Sequence, residues 1–404
     1  MTLHLDSSLR EKPPVETLAI AESLMPTLGI SRVTDITRMD RLGLPVFASV
    51  RPRSLGLRVT AGKGANPIEA RASALMEAVE HAVAEPQRTA WQGLRLSWGR
   101  LGDQFDDGID LLDLVPRPGA SVTRRTMVTT LACERLGRPG SIDLPAELVF
   151  YPYREPGRND SLFVPTTTNG LASGNSVDEA TLHGLFEILE RDALAMSRAR
   201  DASEWVEHGT LPEPFRSFAQ DWHRIGVELA VRHVPNDFGL PCFEACLSEP
   251  ASTDVNLAAG AGLHLDRCIA LSRAICEAAQ SRLSTIHGGR DDITRFYAKY
   301  AQGGTQERLD QERQVVQRRF DRSRSIDFTS IPHHARADRS LAEALDEVLE
   351  MACRAGLPAA FRYCFDAPLN GLQVVRVIVP KSEIADHQVR RVGRRLLQRI
   401  VAGD

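Results

Sequence analysis

Three stretches of this chain put carboxylates where an amphipathic helix would carry apolar side chains. They are residues 73–80 (SALMEAVE), 186–191 (FEILER) and 274–282 (AICEAAQSR). A spacing of three residues sets Glu77 with Glu80, Glu187 with Glu190, and Glu277 with Gln280 on one helical face. Their neighbours are Ala, Leu, Ile, Val, Met and Phe, so the acids are expected to point inward. A buried, unpaired carboxylate costs several kcal/mol, and five together demand compensation. Divalent cations compensate most directly, so a metal-dependent site is the leading expectation.

Start and stop signals frame each helix. Asn66 can cap the first, Pro67 suits its first position, Glu69 completes a capping-box spacing and Pro86 closes it. The second opens with Ser176-Val-Asp-Glu179 and runs to about Arg200, and the third starts after Asp266 and stops at Gly288-Gly289. Residues 1–42 read as a lead-in with one short amphipathic helix. Alternating, strand-like patterns occupy 44–59, 225–265, 358–365 and 372–380, and 87–160 reads as strands joined by loops. Residues 290–340 are polar and Arg-rich, a helical surface excursion. The stretch 341–404 reads helix, strand, strand, basic helical tail. No strand–helix–strand period repeats, which favours an α+β fold of mixed or antiparallel sheets packed with helices over a doubly wound parallel sheet. Glu-x-x-Glu at 77–80 and again at 187–190 hints at internal duplication.

Composition narrows the setting. A net charge of −4 leaves no electrostatic footprint for nucleic acid. The basic clusters at 313–324 and 390–399 read as solvated helix faces. No apolar run approaches the ~20 residues that span a bilayer, and the first residues lack the apolar core of a secretion signal. Seven cysteines at irregular spacing do not make a disulfide framework. Cys242 and Cys246, four apart on a strand-like stretch, read as buried thiols rather than half of a zinc site. The expected compartment is the reducing cytoplasm.

Glycine-bearing segments precede all three acidic helices: 61–64, 168–175 and 260–264. Glycine lets backbone N–H groups approach an anion, and a helix N-terminus adds positive dipole. Lys63, Arg191, Arg282 and Arg290 bring formal charge nearby in sequence. Carboxylates for metals together with glycines and cations for phosphates specify a nucleotide–metal site, and oxygen ligands suit Mg2+. Neither Gly-x-x-x-x-Gly-Lys-Ser/Thr nor Gly-x-Gly-x-x-Gly occurs, so the site is of neither the P-loop nor the Rossmann kind. Taken singly, each element has an ordinary reading: Glu69 and Glu179 as capping partners, Glu190 and Arg191 as an ion pair, Lys63 as a solvated loop residue. Their coincidence on three capped helices outweighs those readings. A di-iron bundle would need Glu-x-x-His, which the spacings Glu77 to His81 and His183 to Glu187 do not provide.

These residues resemble the YcaO family from about residue 43 to the end. Three ordered motifs carry the likeness: Gly62-Lys63-Gly64 leading to Ser73-x-x-x-Glu77-x-x-Glu80; Asn169-Gly170-x-Ala172-x-Gly174-Asn175-x-x-x-Glu179 leading to Glu187-x-x-Glu190-Arg191; and Glu277-x-x-Gln280-x-Arg282 followed by Gly289-Arg290-Asp291-Asp292. The resemblance implies a catalytic domain over 43–404 that uses ATP and Mg2+ to phosphorylate a peptide backbone amide oxygen. By motif, Glu77, Glu80, Glu187, Glu190 and Glu277 would hold Mg2+. Lys63, Ser73, Asn175, Glu179, Arg191, Gln280, Arg282 and Arg290 would contact nucleotide or phosphate, with Arg191 and Arg290 as catalytic cations. His81 stands where the motif commonly has Arg. The chain ends without the Pro-rich tail typical of azoline-forming members and carries no fused leader-peptide-binding domain. The segments 28–38 and 45–52 resemble the TfuA-associated branch, which implies thioamide formation in a ribosomally made precursor peptide, a TfuA-like partner and a homodimer. Azoline or amidine formation, and a silent scaffold presenting peptide to a partner, are the alternatives.

Overall fold

The same strand–turn–helix unit is built three times. Strand β1 (Val59–Lys63) leads to helix α1 (Pro67–Val83), β2 (Leu171–Gly174) to α2 (Val177–Ala199), and β3 (Ala258–Leu263) to α3 (Arg267–His287). The computed structural model describes residues 3–5, 8–86, 91–106, 108–117, 120, 122–163, 167–250, 257–293, 305–385 and 390–402. Each unit strand lies at the edge of its own sheet. β1 closes a three-stranded sheet behind Val46–Val50 and Arg32–Asp35. β2 ends a six-stranded sheet beside Gln373–Ile378, and β3 ends a five-stranded sheet beside Cys242–Ser248. Pairing is antiparallel apart from Glu204–Val206 with Ser325–Ile326. This is the α+β architecture anticipated above.

Local chemistry starts each helix where the sequence places it. The Asn66 side chain accepts from the Glu69 N–H at 3.0 Å, Ser176 from Glu179 at 3.2 Å, and Asp266 from Cys268 at 2.7 Å. Such caps satisfy N–H groups that the helix itself leaves open. Gly288, at φ 66°, ends α3 in the left-handed conformation. One face of each helix then packs into a different core. Leu75, Val79 and Val83 meet Leu24 and Leu28 of the helix Pro14–Leu28. Leu185 and Leu189 meet Leu345 and Val348, and Leu271 and Ile275 meet Leu229 and Phe243.

The glycines before the helices serve that packing. Gly62 and Gly260 lie inside β1 and β3 rather than in loops. A Cβ on Gly62 would stand 1.9 Å from the Ala74 nitrogen, and one on Gly260 2.2 Å from the Ala278 nitrogen. The helix backbone rests directly on the strand backbone, so the expected role as anion cradle is replaced by close approach.

Three further expectations shift. The lead-in is stitched to the rest of the fold: Leu24 and Leu28 share a core with α1, and Arg10 bonds Glu179 on α2 at 3.1 Å. The excursion holds the helix Thr305–Arg319 and then returns Ser325–Ile326 to the five-stranded sheet. Part of 290–340 lies outside the described residues. The basic tail, partly exposed as expected, is also ion-paired. Arg394 meets Asp110, Arg395 meets the buried Asp192 at 2.6 Å, and Arg399 meets Asp237. Within the excursion Arg319 pairs with Glu244 and Arg322 lies 4.4 Å from the Trp205 ring centre.

Because α3 cannot move off β3 without losing its core, Gly260→Ala is expected to destabilise the protein by at least ~2 kcal/mol, the scale of overpacking a filled interior. A urea midpoint matching that of the unsubstituted protein would contradict this account of the glycines.

Candidate active site

Equal helical height brings the acids together. Glu77, Glu187 and Glu277 each stand eleven residues beyond the caps Asn66, Ser176 and Asp266, and Glu80, Glu190 and Gln280 fourteen beyond. Eleven residues is about three turns, or ~16 Å along each axis. Each helix carries these groups on the side opposite its core. There they face one cavity of about 1090 Å³, and all thirteen site residues proposed from the sequence line it.

Contacts inside the cavity run between units. Lys63 at the end of β1 bonds Glu277 on α3. Ser173 on β2 donates to Glu80 on α1 at 2.5 Å, and Gln280 on α3 donates to the Ala61 carbonyl on β1. Arg191 lies 3.9 Å from both Glu190 and Glu277. The Ser73 hydroxyl accepts from the Lys63 N–H at 3.4 Å, and Arg290 is held by Asp292 through bonds of 3.1 and 2.8 Å. Asn175 accepts from Thr17 and donates to Glu179, which also accepts from Arg10 and the Glu11 N–H. Arg282 departs from its expected role as a phosphate ligand. Its guanidinium is engaged by Asp40 at 2.9 Å and at 3.0 Å by Glu249, an acid that also pairs with Arg41.

Burial dominates the electrostatics. It raises Glu77 to about 7, against the pull of Arg290 and Lys63. It raises Glu80 to about 8 despite the Ser173 bond, and Glu187 to about 7 despite Arg191. Glu190 is raised too, by burial and then by the charge of Glu277. For Glu277 burial works in the same direction, but Lys63 and Arg191 outweigh it and hold the carboxyl below its ordinary range. Burial, followed by Arg51, Arg290 and Arg376, brings His81 down to about 4, so its ring is neutral. The glutamate tips can be reached by water through the cavity, and a cation would relieve their mutual repulsion more fully than water does. Among the described residues no three carboxylate, imidazole or thiol groups stand close enough to enclose one ion by themselves. That arrangement fits Mg2+, which takes one or two carboxylates and completes its shell with water and phosphate oxygens.

Sequence reasoning missed several groups. Arg376 is buried, spends its N–H groups on the Val149 and Asn169 carbonyls at 3.0 and 2.8 Å, and supplies positive charge behind Glu187 and Glu80. Burial lowers it to about 10. One charged residue inside the apolar strand Gln373–Ile378 was the available signal. His183 and Arg273 also line the cavity, seven residues past their caps like Ser73, a third shared height that aligning the caps would have revealed. Arg10 and Thr17 were hidden in the lead-in.

The sequence model of the YcaO family, described as an ATP- and Mg2+-binding YcaO cyclodehydratase, matches residues 61–383. The chain belongs to the YcaO family. A Methanothermobacter thermautotrophicus protein is 34% identical over 391 residues, covering 95% of this chain and 97% of its own. A Rhizobium leguminosarum bv. trifolii protein, described as lying in the tfuA 3' region, is 30% identical over 93% of this chain and 89% of its own. Among solved structures, YcaO from Methanopyrus kandleri, bound with AMPPCP and Mg2+, superposes with a TM-score of 0.75 at 22% identity over 97% of this chain and 98% of that one. A heterocyclase in complex with substrate and cofactor gives 0.74 at 22% identity; 95% of this chain is covered, but only 55% of the heterocyclase. The three-unit fold is therefore that of the YcaO proteins.

The raised acids predict a pH dependence. An unfolded glutamate titrates near 4.5, whereas Glu77, Glu80 and Glu187 release their protons at about 7, about 8 and about 7 in the fold. The folded chain thus binds more protons in that interval, and its stability falls as pH rises. Unfolded His81 is still about half protonated at pH 6.5, a smaller opposing effect than the three carboxyls together, and it no longer counters the trend above about pH 7.5. The melting temperature of metal-free protein should drop between about pH 6.5 and about pH 9, while the increment from Mg2+ with a nonhydrolysable ATP analogue grows. A metal-free melting temperature that climbs over this interval would count against the cluster as described.

Proposed function

We propose that this chain uses ATP and Mg2+ to activate a backbone amide of a peptide, and that sulfide then replaces the amide oxygen to give a thioamide. The observation that carries the reading is the delivery of five glutamates at matched heights to one cavity that also holds Lys63, Arg191 and Arg290. When bound, ATP would supply the phosphoryl group that turns the amide oxygen into a leaving phosphate, and Mg2+ would neutralise the phosphate oxygens. Glu77, Glu80, Glu187, Glu190 and Glu277 are the residues to hold the cations. Lys63 and Arg191 now rest on Glu277 and would turn to phosphate oxygens once that acid has a metal partner. Arg290, steadied by Asp292, faces the charge that develops in transfer. Ser73, Asn175, Glu179 and Gln280 position the nucleotide. Amide oxygen is a poor nucleophile, so fixed positive charge and positioning matter more than covalent help. The balance is amide plus ATP plus hydrosulfide giving thioamide, ADP and phosphate.

The description of the Rhizobium relative supports a TfuA-like partner and thereby the thioamide outcome. The family's description as a cyclodehydratase favours a second outcome, in which a side-chain thiol or hydroxyl of the peptide attacks and water is lost. Incubation with ATP, Mg2+, sulfide and a precursor peptide separates the two by mass. A shift equal to oxygen replaced by sulfur supports thioamidation, and loss of one water supports cyclisation. A scaffold role would instead show no ATP affinity in calorimetry. We carry the homodimer forward as part of the proposal, to be tested by light scattering.

Removing one acid from the set should cripple turnover without unfolding the chain. Glu190→Gln and Arg290→Ala are each expected to lower ATP-dependent peptide modification by about a hundredfold or more. Their circular dichroism should match the parent protein. Ordinary turnover in both variants would remove these residues from the site.

A further inference from the structure

All three unit strands end their sheets at the cavity, so three strand edges meet where the chemistry is set. Two of them are occupied. The Ala61 carbonyl on β1 already accepts from Gln280. On β2, Leu171 packs in one core with Leu75 and Val79 of α1, and Ser173 is tied to Glu80 on the same helix. The third edge is covered over half its length. Ala261 and Leu263 of β3 pack against Leu185, Phe186 and Leu189 of α2. Its first half is different: Leu257, Ala258 and Ala259 line the cavity, Ala259 is exposed, and among the described residues only Cys242–Ser248 pairs with the strand. Leu257 precedes the strand, and β3 itself begins Ala258-Ala259-Gly260, so little side-chain bulk covers its backbone. Val315, Ile286, Arg191 and Glu190 line the same cavity.

The geometry points to the first half of β3 as the docking edge for the peptide substrate, which adds as an extended strand beside Leu257, Ala258 and Ala259. This rests on the reading of the chain as a peptide-amide-modifying enzyme and names how that substrate is held. Extended backbone has its own logic here. The N–H and C=O of one residue in an extended strand point to the same side and those of the next residue to the other, so alternate residues pair with the edge while those between face away. A residue between two paired ones therefore turns its carbonyl oxygen away from β3, and the docking places that oxygen toward the glutamates, Arg191 and Arg290 of the cavity. Main-chain pairing supplies affinity with little demand on side chains, and register against the edge selects which amide reacts. Val315 and Ile286 then contact the substrate side chains on either face of the added strand.

The test is amide hydrogen exchange in the full chain with Mg2+ and a nonhydrolysable ATP analogue, using the capped peptide acetyl-Val-Thr-Cys-Thr-Val-amide at millimolar concentration as probe. Exchange across Ala258–Leu263 should slow severalfold while Val59–Lys63 is unchanged. Three analogues, each N-methylated at one successive residue, should alternate: protection lost, kept, then lost, or the reverse. No protection of Ala258–Leu263, or protection indifferent to the position of the methyl group, overturns the proposal. The experiment needs no turnover, so the two ideas fail separately. Alternating protection without any ATP-dependent modification sinks the functional reading alone, and modification without protection sinks the docking edge alone.

Discussion

Carboxylates largely withdrawn from bulk water and crowded around one cavity are the constraint on which the rest of the molecule depends. Each of these acids on its own helix would turn outward or take a partner on its own surface. Here three helices are held so that Glu77, Glu187 and Glu277 share one cavity, and the fold has to supply rigidity enough to keep them there. That rigidity comes from the opposite side of each helix, where Leu75 and Val79, Leu185 and Leu189, and Leu271 and Ile275 are fixed in three separate cores. Strand backbones pressed against helix backbones at Gly62 and Gly260 remove the remaining slack. Donors and charges fixed before a ligand arrives need not reorganise during the reaction, which is how such sites stabilise developing charge.

Coupling among the units is as important as rigidity within them. Lys63 belongs to the first unit and its acid Glu277 to the third. Ser173 belongs to the second and Glu80 to the first, while Arg191 reaches from the second to the third. The positive partners therefore link the helices across the cavity they surround. Arg376, behind Glu187 and Glu80, adds charge from a fourth element whose N–H groups are already committed to backbone carbonyls. A guanidinium so committed can offset the negative potential around the acids without closing over them, and the cavity stays open.

Much of this was legible from residue order because its signals are local. Asn66, Ser176 and Asp266 announce their helices through short-range capping, and the inward-facing acids follow from a three-residue spacing within a turn or two. Signals that depend on distant partners were not legible. Gly62 and Gly260 looked like loop glycines because nothing nearby in sequence says that Ala74 or Ala278 backbone will rest on them. The ion pairs of the tail arginines were hidden because Asp110, Asp192 and Asp237 lie far upstream. Arg282 looked like a phosphate ligand until Asp40 and Glu249, from two other parts of the chain, claimed it. His81 remains legible only as a neutral imidazole among arginines.

The one break in the threefold pattern has a physical reason. At the position held by Glu80 on α1 and Glu190 on α2, α3 carries Gln280. Its amide donates to the Ala61 carbonyl at the outer edge of β1. A carboxylate there would set negative oxygen against carbonyl oxygen and leave both without a donor, an arrangement that low local dielectric makes more costly. The amide also keeps the number of acids at five rather than six, so that Lys63 and Arg191 can bring Glu277 below its ordinary range while the other four stay raised. Glu277 is thus the acid of the five most readily ionised, while burial holds the other four back. Glu277 would offer Mg2+ an ionised ligand, and Lys63 and Arg191, which now rest on that acid, would then turn to phosphate.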